Sequence, residues 1–224
     1  MLGIIGGTSL LEFNFGEWKK KCVHTPYGSS AVLTGDNVAL LLRHQNRRAP
    51  HRINYRAHIA ALAISGVDRI IGIGSTGSLK QQIQPGSLVI PDDYFYLSSV
   101  STIYNHSIGH IRPDFSPELS GVLSRVIPEA HFGGTYIQTD GPRFETVSEI
   151  KWMSSVADIV GMTIVSEATV AREMDIPFAA ICTVDNYGNG LFNEQVSYDN
   201  VLLNARMYKD RTRRMLTALV EYCI

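Results

Sequence analysis

Residues 53–79 read INYRAHIAALAISGVDRIIGIGSTGSL. In the first half Ile53, Ala57, Ala60, Ala61 and Ile64 share one face of a helix, and Gly66 stops it. In the second half Arg69–Ile73 is an apolar run too short for a helix and rich in isoleucine, which predicts a buried strand. That strand ends in Gly74-Ser75-Thr76-Gly77-Ser78-Leu79, small residues that let a backbone approach a ligand closely. Helix, glycine stop, buried strand and small-residue end form the repeating unit of an α/β domain.

Working outward, the same kind of strand recurs at Leu2–Ile5, Val38–Leu42, Leu88–Ile90, Ile159–Val160 and Phe178–Val184. Helical runs lie between them. Near the end, Val201, Ala205, Tyr208, Met215 and Leu219 form one stripe, read as a single last helix with Ser197 as its N-cap. Strands alternating with helices predict a largely parallel sheet. Pro91–Pro113, full of Tyr, Ser and His, is expected to be a long irregular connection of the kind that often carries function. No internal repeat or low-complexity linker interrupts the pattern.

With 224 residues and 45% hydrophobic content, the chain can bury a sizeable core. A net charge of −1 gives no general pull toward nucleic acid or a membrane surface. The cluster Arg47, Arg48 and Arg52 reads as a solvated face or an anion site. Cys22, Cys182 and Cys223 are odd in number and far apart, so neither a disulfide framework nor a metal pair is expected. No run approaches the ~20 apolar residues of a membrane span, and Met1 leads into a strand instead of a signal peptide. The expectation is a cytoplasmic protein without metal or cofactor.

Four segments offer anion-binding groups at strand ends, where open α/β sheets collect ligands. Gly6-Gly7-Thr8-Ser9 supplies amides and the Thr8 hydroxyl; Arg43-His44 supplies a guanidinium fork; Ser75 lies in the small-residue stretch. Thr163, in Gly161-Met162-Thr163, precedes a helix whose N-terminal amides and dipole favour an anion. Any one of these is ordinary. Together they predict a phosphate pocket. The spacing Gly3-Ile4-Ile5-Gly6-Gly7 departs from the dinucleotide fingerprint, which argues against an oxidoreductase. Gly141-Pro142-Arg143-Phe144-Glu145-Thr146 sets an aromatic face beside a carboxylate, and Val184-Asp185-Asn186-Tyr187-Gly188 puts polar groups after a buried run, a costly arrangement unless they bind something.

The ordered set Gly6-Gly7-Thr8, Arg43-His44, Asn54-Tyr55-Arg56-Ala57, Gly77-Ser78-Leu79, Pro85-Gly86, Gly141–Glu145 and Gly161-Met162-Thr163 resembles the trimeric purine nucleoside and methylthioadenosine phosphorylases over essentially the whole chain. The resemblance implies a single domain, residues 1–224, with a mixed, largely parallel sheet flanked by helices. It implies a trimer or dimer of trimers, and no cofactor beyond phosphate as co-substrate. Carried over by position, Thr8, Arg43, His44, Ser75 and Thr163 hold phosphate, Met162 lies against the ribose, and Phe144 flanks the base. Tyr187 and Gly188 join Asn186 on the base side, and His110 is the candidate contributed to a neighbour's pocket. Ser9 stands where the family has glycine, Ser166 where it has proline, and the Tyr94–His110 segment is short, which bears on the 5′ side.

Base identity is read from two groups. An ionised Glu145 only accepts, so it suits N1–H of hypoxanthine or guanine and repels N1 of adenine. Asn186, the catalytic candidate, both donates and accepts, serving O6 and a protonated N7. A shift of one residue makes Asp185 the base-reading group and points to adenine. Tyr198 is aligned beside the 5′ group. The resulting expectation is phosphorolysis of inosine and guanosine in purine salvage. A methylthioinosine or methylthioadenosine phosphorylase, or a non-catalytic nucleoside-binding protein, is the alternative.

Overall fold

Along Leu2–Gly6 (β1), Leu2 and Ile4 enter one hydrophobic core and Ile5 the other. Val38–Leu42 (β4) alternates likewise, with Val38 and Leu40 in the first and Ala39 and Leu41 in the second. Side chains alternate across a pleated strand, so a strand buried at every position must be covered on both faces. The computed structural model describes residues 1–7, 10, 18–99, 101–193 and 196–223.

Between β1 and β4 stands a hairpin, Lys19–Thr25 (β2) and Gly28–Thr34 (β3). After β4 come Tyr55–Ile64 (α1), Arg69–Ser78 (β5), Leu88–Ile90 (β6), Asp93–Tyr96 (β7) and Pro117–Val126 (α2). His131–Phe132 (β8), Thr135–Gln138 (β9), Val147–Met153 (α3), Ile159–Gly161 (β10) and Ile164–Glu173 (α4) follow. Phe178–Tyr187 (β11), Tyr198–Met207 (α5) and Lys209–Cys223 (α6) complete the chain. Helices α1 and α4 supply side chains to one core, and α2 and α6 to the other.

The described strands form one eleven-stranded mixed sheet, ordered β2-β3-β4-β1-β5-β10-β9-β7, with β11 paired to β5 and β6, and β8 to β6. Most of the central pairings are parallel: β1 with β4 and β5, β11 with β5, and β10 with β9. The hairpin and the β10–β5 pairing are antiparallel.

The position of β5 in this sheet creates the site. Its first half, Arg69–Ile73, pairs with β1, and its end, Gly77-Ser78, pairs with β10. Gly74, Ser75 and Thr76 fall between these pairings, while β11 runs along β5 throughout. Strands β1 and β4, and β10 from the opposite direction, all end toward this opening. The small-residue stretch therefore continues the strand as far as Ser78, beyond the Arg69–Ile73 run read from the sequence. A Cβ on Gly74 would lie 3.0 Å from Cys182 Sγ and 3.1 Å from Ile164 Cγ1, so glycine there lets α4 approach the sheet.

Two further expectations change. The segment predicted irregular contains β7, which pairs in parallel with β9. The C-terminal stripe is two helices with a break at Tyr208, the C-cap of α5. The break lets α5 approach the site end of β11, where Asn204 donates to the Asp185 carbonyl, while α6 packs Met215, Leu216 and Leu219 into the second core. Ser197 caps α5 as its sequence predicts, its side chain accepting from Asn200 N–H. No described helix is long and apolar enough to cross a membrane.

Candidate active site

The opening at β5 holds a cavity of about 590 Å³. Gly7, Arg43, His44, Ser75 and Thr163 line it, as do Phe144, Glu145, Met162, Asn186, Gly188 and Tyr198. Thr8 lies outside the described residues.

Arg43 follows β4 directly and is 2% exposed, against 0% for its partner Glu167 on α4. Its Nε and Nη2 donate to the two Glu167 oxygens at 2.5 and 2.7 Å, and Nη1 donates to Ile73 O at 2.9 Å. Burial opposes the positive charge, but Glu167 outweighs it and raises the Arg43 pKa. Three of five guanidinium N–H groups are thus committed, leaving two for an anion. A Cβ on Gly7 would stand 2.6 Å from Nη1, so that glycine makes room for the guanidinium at the end of β1.

Glu167 itself carries a signal in the sequence. It shares the apolar face of Ile164, Ala168 and Ala171, and a lone acid on a buried face needs a cation beside it.

His44 Nδ1 sits 2.8 Å from Arg48 O. A carbonyl only accepts, so Nδ1 carries the proton and a neutral ring keeps Nε2 as an acceptor. Burial and then the Arg43 charge lower the His44 pKa, against the opposing bond to Arg48.

Thr163 is the N-cap of α4, and its side chain makes no capping bond, which leaves the hydroxyl free for a ligand. The helix amides are less available than expected. Tyr136 Oη accepts from Thr163 N–H at 3.3 Å and Ile164 N–H at 3.5 Å, and Gln138 Oε1 accepts from Ser166 N–H at 3.1 Å. Strand β9 therefore occupies donors that a bare helix start would offer to an anion. Ser75 is also committed, since its hydroxyl donates to Asp185 Oδ2.

The base-side candidates come together with one exception. Glu145 is buried and precedes α3, whose capping box uses Thr146 and Glu149. Glu145 is thus free of helix duty. Thr139 donates to its Oε1 at 2.6 Å, and Asn189 Nδ2 donates to its backbone oxygen at 3.1 Å. Asn186 Nδ2 donates to Tyr187 O at 2.6 Å, leaving one N–H and the amide oxygen uncommitted.

A register shift between Val184 and Asn186 makes Asp185 the extra residue of β11. Asp185 accordingly turns from the cavity to Ser75, and burial raises its carboxyl to about 6 against the hydrogen bonds from Ser75 and Thr183. Tyr187 does not line the cavity: its hydroxyl donates to Gln81 O and its ring packs on Phe192 at 4.7 Å. His110 is exposed beside a separate surface hollow with Tyr104 and Glu173, so within one chain it stands apart from the site.

The cavity also takes in Arg47 and Arg48, two members of the basic cluster read from the sequence as a solvated face or an anion site, and four residues that the sequence did not single out for the site: Ala49, Pro50, Val196 and Val201. The two valines flank Tyr198, and only their nearness to it in sequence hints at their place. Among the described residues no cluster of three or more His, Cys, Asp or Glu could hold a metal ion.

Comparison with known proteins identifies the family. The family model of the phosphorylase superfamily matches residues 2–221. A protein of Archaeoglobus fulgidus named a probable 6-oxopurine nucleoside phosphorylase is 40% identical, over 99% of this chain and 95% of its own. One of Methanocaldococcus jannaschii named a probable S-methyl-5′-thioinosine phosphorylase is 35% identical, over 99% and 92%. The crystal structure of a methylthioadenosine phosphorylase from an antarctic soil metagenomic library superposes with a TM-score of 0.88 at 31% identity, covering 99% of this chain and 85% of that one. The chain belongs to the phosphorylase superfamily and is an enzyme of its nucleoside phosphorylase type, a pentosyltransferase.

Proposed function

We propose that the enzyme phosphorolyses 6-oxopurine nucleosides to free base and ribose 1-phosphate. The observation that carries this reading is that Glu145 and Asn186 line the same cavity, each with hydrogen-bonding capacity left over. Thr139 occupies one Glu145 oxygen and leaves the other to accept N1–H of hypoxanthine or guanine. Asn186 retains one N–H to donate to O6 and its oxygen to accept from a protonated N7. Adenine presents an acceptor at N1, which a carboxylate repels.

In the reaction a phosphate oxygen forms a bond to C1′ as the C1′–N9 bond breaks, and the bonding pair leaves with the purine. The phosphate, held by Arg43, His44 and Thr163, is oriented under C1′, an effect worth roughly 7–11 kcal/mol at best. Its charge stabilises the oxocarbenium-like sugar, with Met162 against the ribose. Asn186 assists departure at the purine. His110 is assigned to a neighbouring subunit's pocket in a trimer or dimer of trimers.

A second reading is favoured by Val196 and Val201, which give the cavity an apolar stretch beside Tyr198. Such a surface suits a 5′-methylthio group as well as a 5′-hydroxyl, so methylthioinosine is the rival substrate, as the name of the 35% identical relative suggests. Both readings share the 6-oxopurine.

The test of base recognition is the double variant Glu145→Ser with Asn186→Asp, assayed by base release with phosphate present. It should move activity from inosine toward adenosine. A variant that keeps the wild-type preference removes this pair from base recognition.

A further inference from the structure

Next to the active-site cavity lies a second one, about 640 Å³, whose lining includes Arg47, Arg48, His51, Arg52 and Arg56 and no carboxylate. Four formal positive charges therefore converge on one cavity of a chain whose net charge is −1. Among the described residues none of the four arginines enters an ion pair. Arg56 lies over the Tyr27 ring at 5.7 Å, a contact that holds the side chain without neutralising it. Arg47, Arg48 and Ala49 line both cavities, so the basic one adjoins the active site through a shared wall.

The segment is also held in place. Gln45 accepts from Ala31 N–H at 2.8 Å and donates to Ala31 O and Ser30 Oγ, and His44 grips Arg48 O. Asn46 and Arg47 both have φ in the left-handed region, at 57° and 55°, where side-chain-bearing residues seldom sit. Unpaired like charges fixed at the edge of a site that binds a dianion focus the field on that dianion and raise its local concentration.

We propose that this arginine-lined cavity recruits the phosphate co-substrate and passes it to the adjoining active site. The proposal rests on the phosphorolytic activity and not on which purine is preferred. It separates two tasks. Arg43, buried and paired, orients phosphate; Arg52 and Arg56, which do not line the active-site cavity, attract it from solution.

The test is the double charge reversal Arg52→Glu with Arg56→Glu, beside Arg52→Lys with Arg56→Lys. Rates are measured on whichever nucleoside the enzyme turns over, between about 0.01 and 0.1 M ionic strength, where the screening length falls from about 30 to 10 Å. At low salt the reversal should lower kcat/KM for phosphate by roughly ten-fold, within the range of electrostatic focusing. The lysine variant should keep the wild-type value, and kcat and the KM of the uncharged nucleoside should not move. The difference should shrink as salt rises.

Phosphate titration by calorimetry supplies a readout that needs no turnover, and the reversal should weaken binding in the same salt-dependent way. Failure of every nucleoside to react would strike the activity reading alone. A reversal indistinguishable from wild type at low salt overturns the recruitment proposal. So does a loss that salt leaves unchanged, or a change in sedimentation in place of the salt effect, which would assign the arginines to a subunit contact.

Discussion

The two arginine sets a few residues apart do opposite things with charge. Arg43 is buried, held by both oxygens of Glu167 and by Ile73 O, and its charge is locally answered. Arg47, Arg48, Arg52 and Arg56 are unpaired around an accessible cavity. A buried pair contributes geometry, because the cost of desolvating both ions offsets most of their attraction. Unpaired exposed charges contribute field, which salt screens. In the proposed division of labour one region aims the phosphate and the other attracts it.

The sharpest way to break this contrast is Arg43→Ala. Removing one partner leaves the Glu167 carboxylate buried alone, a loss of about 3–5 kcal/mol of stability by denaturant titration. The folded fraction should also need far more phosphate while its nucleoside requirement changes little. Unchanged phosphate dependence would take Arg43 out of the anion site.

Asp185 sharpens the contrast through pH, because it connects to Ser75 behind the same wall. Its folded pKa of about 6 stands above the ordinary carboxyl value near 4. Between these values the folded state holds a proton that the unfolded chain has released, so this group costs stability as pH rises from about 4 to 6. Asp185→Asn removes the cost. The variant should gain on wild type across that window by up to ~3 kcal/mol, and parallel stability profiles would contradict the burial of an ionisable carboxyl there.

The smallest expected effect is at Tyr198, which is 57% exposed and lines the cavity beside Val196 and Val201. Tyr198→Val should shift preference from inosine toward methylthioinosine by about ten-fold or less, the scale of one apolar contact. An unchanged ratio removes Tyr198 from the 5′ side.

How far the sequence could be read follows the same division. Strand cores were legible because Leu2–Gly6, Val38–Leu42 and Phe178–Val184 are apolar at nearly every position, as strands covered on both faces must be. Arg43, His44 and Thr163 were legible because they follow strand ends directly. The hairpin β2–β3 was missed, since Lys19–Val23 is mostly exposed and lacks a core pattern. The extension of β5 through Ser78 was hidden by its glycines, and the break at Tyr208 by a stripe that runs on through it. Tyr187 was misplaced because strand alternation turns it away from the wall that Asn186 faces. Commitments such as Ser75 to Asp185, or the α4 amides to Tyr136 and Gln138, join residues 28 to 110 positions apart and have no local signature.

The central claim, that Glu145 and Asn186 read a 6-oxopurine, is tested most directly by kcat/KM of the wild-type enzyme for inosine, guanosine, methylthioinosine, adenosine and methylthioadenosine at saturating phosphate. The account predicts that the 6-oxopurine substrates are preferred over their 6-amino counterparts by about 10⁴-fold, whichever 5′ group is favoured. Adenosine or methylthioadenosine cleaved as well as, or better than, its 6-oxo counterpart would contradict it.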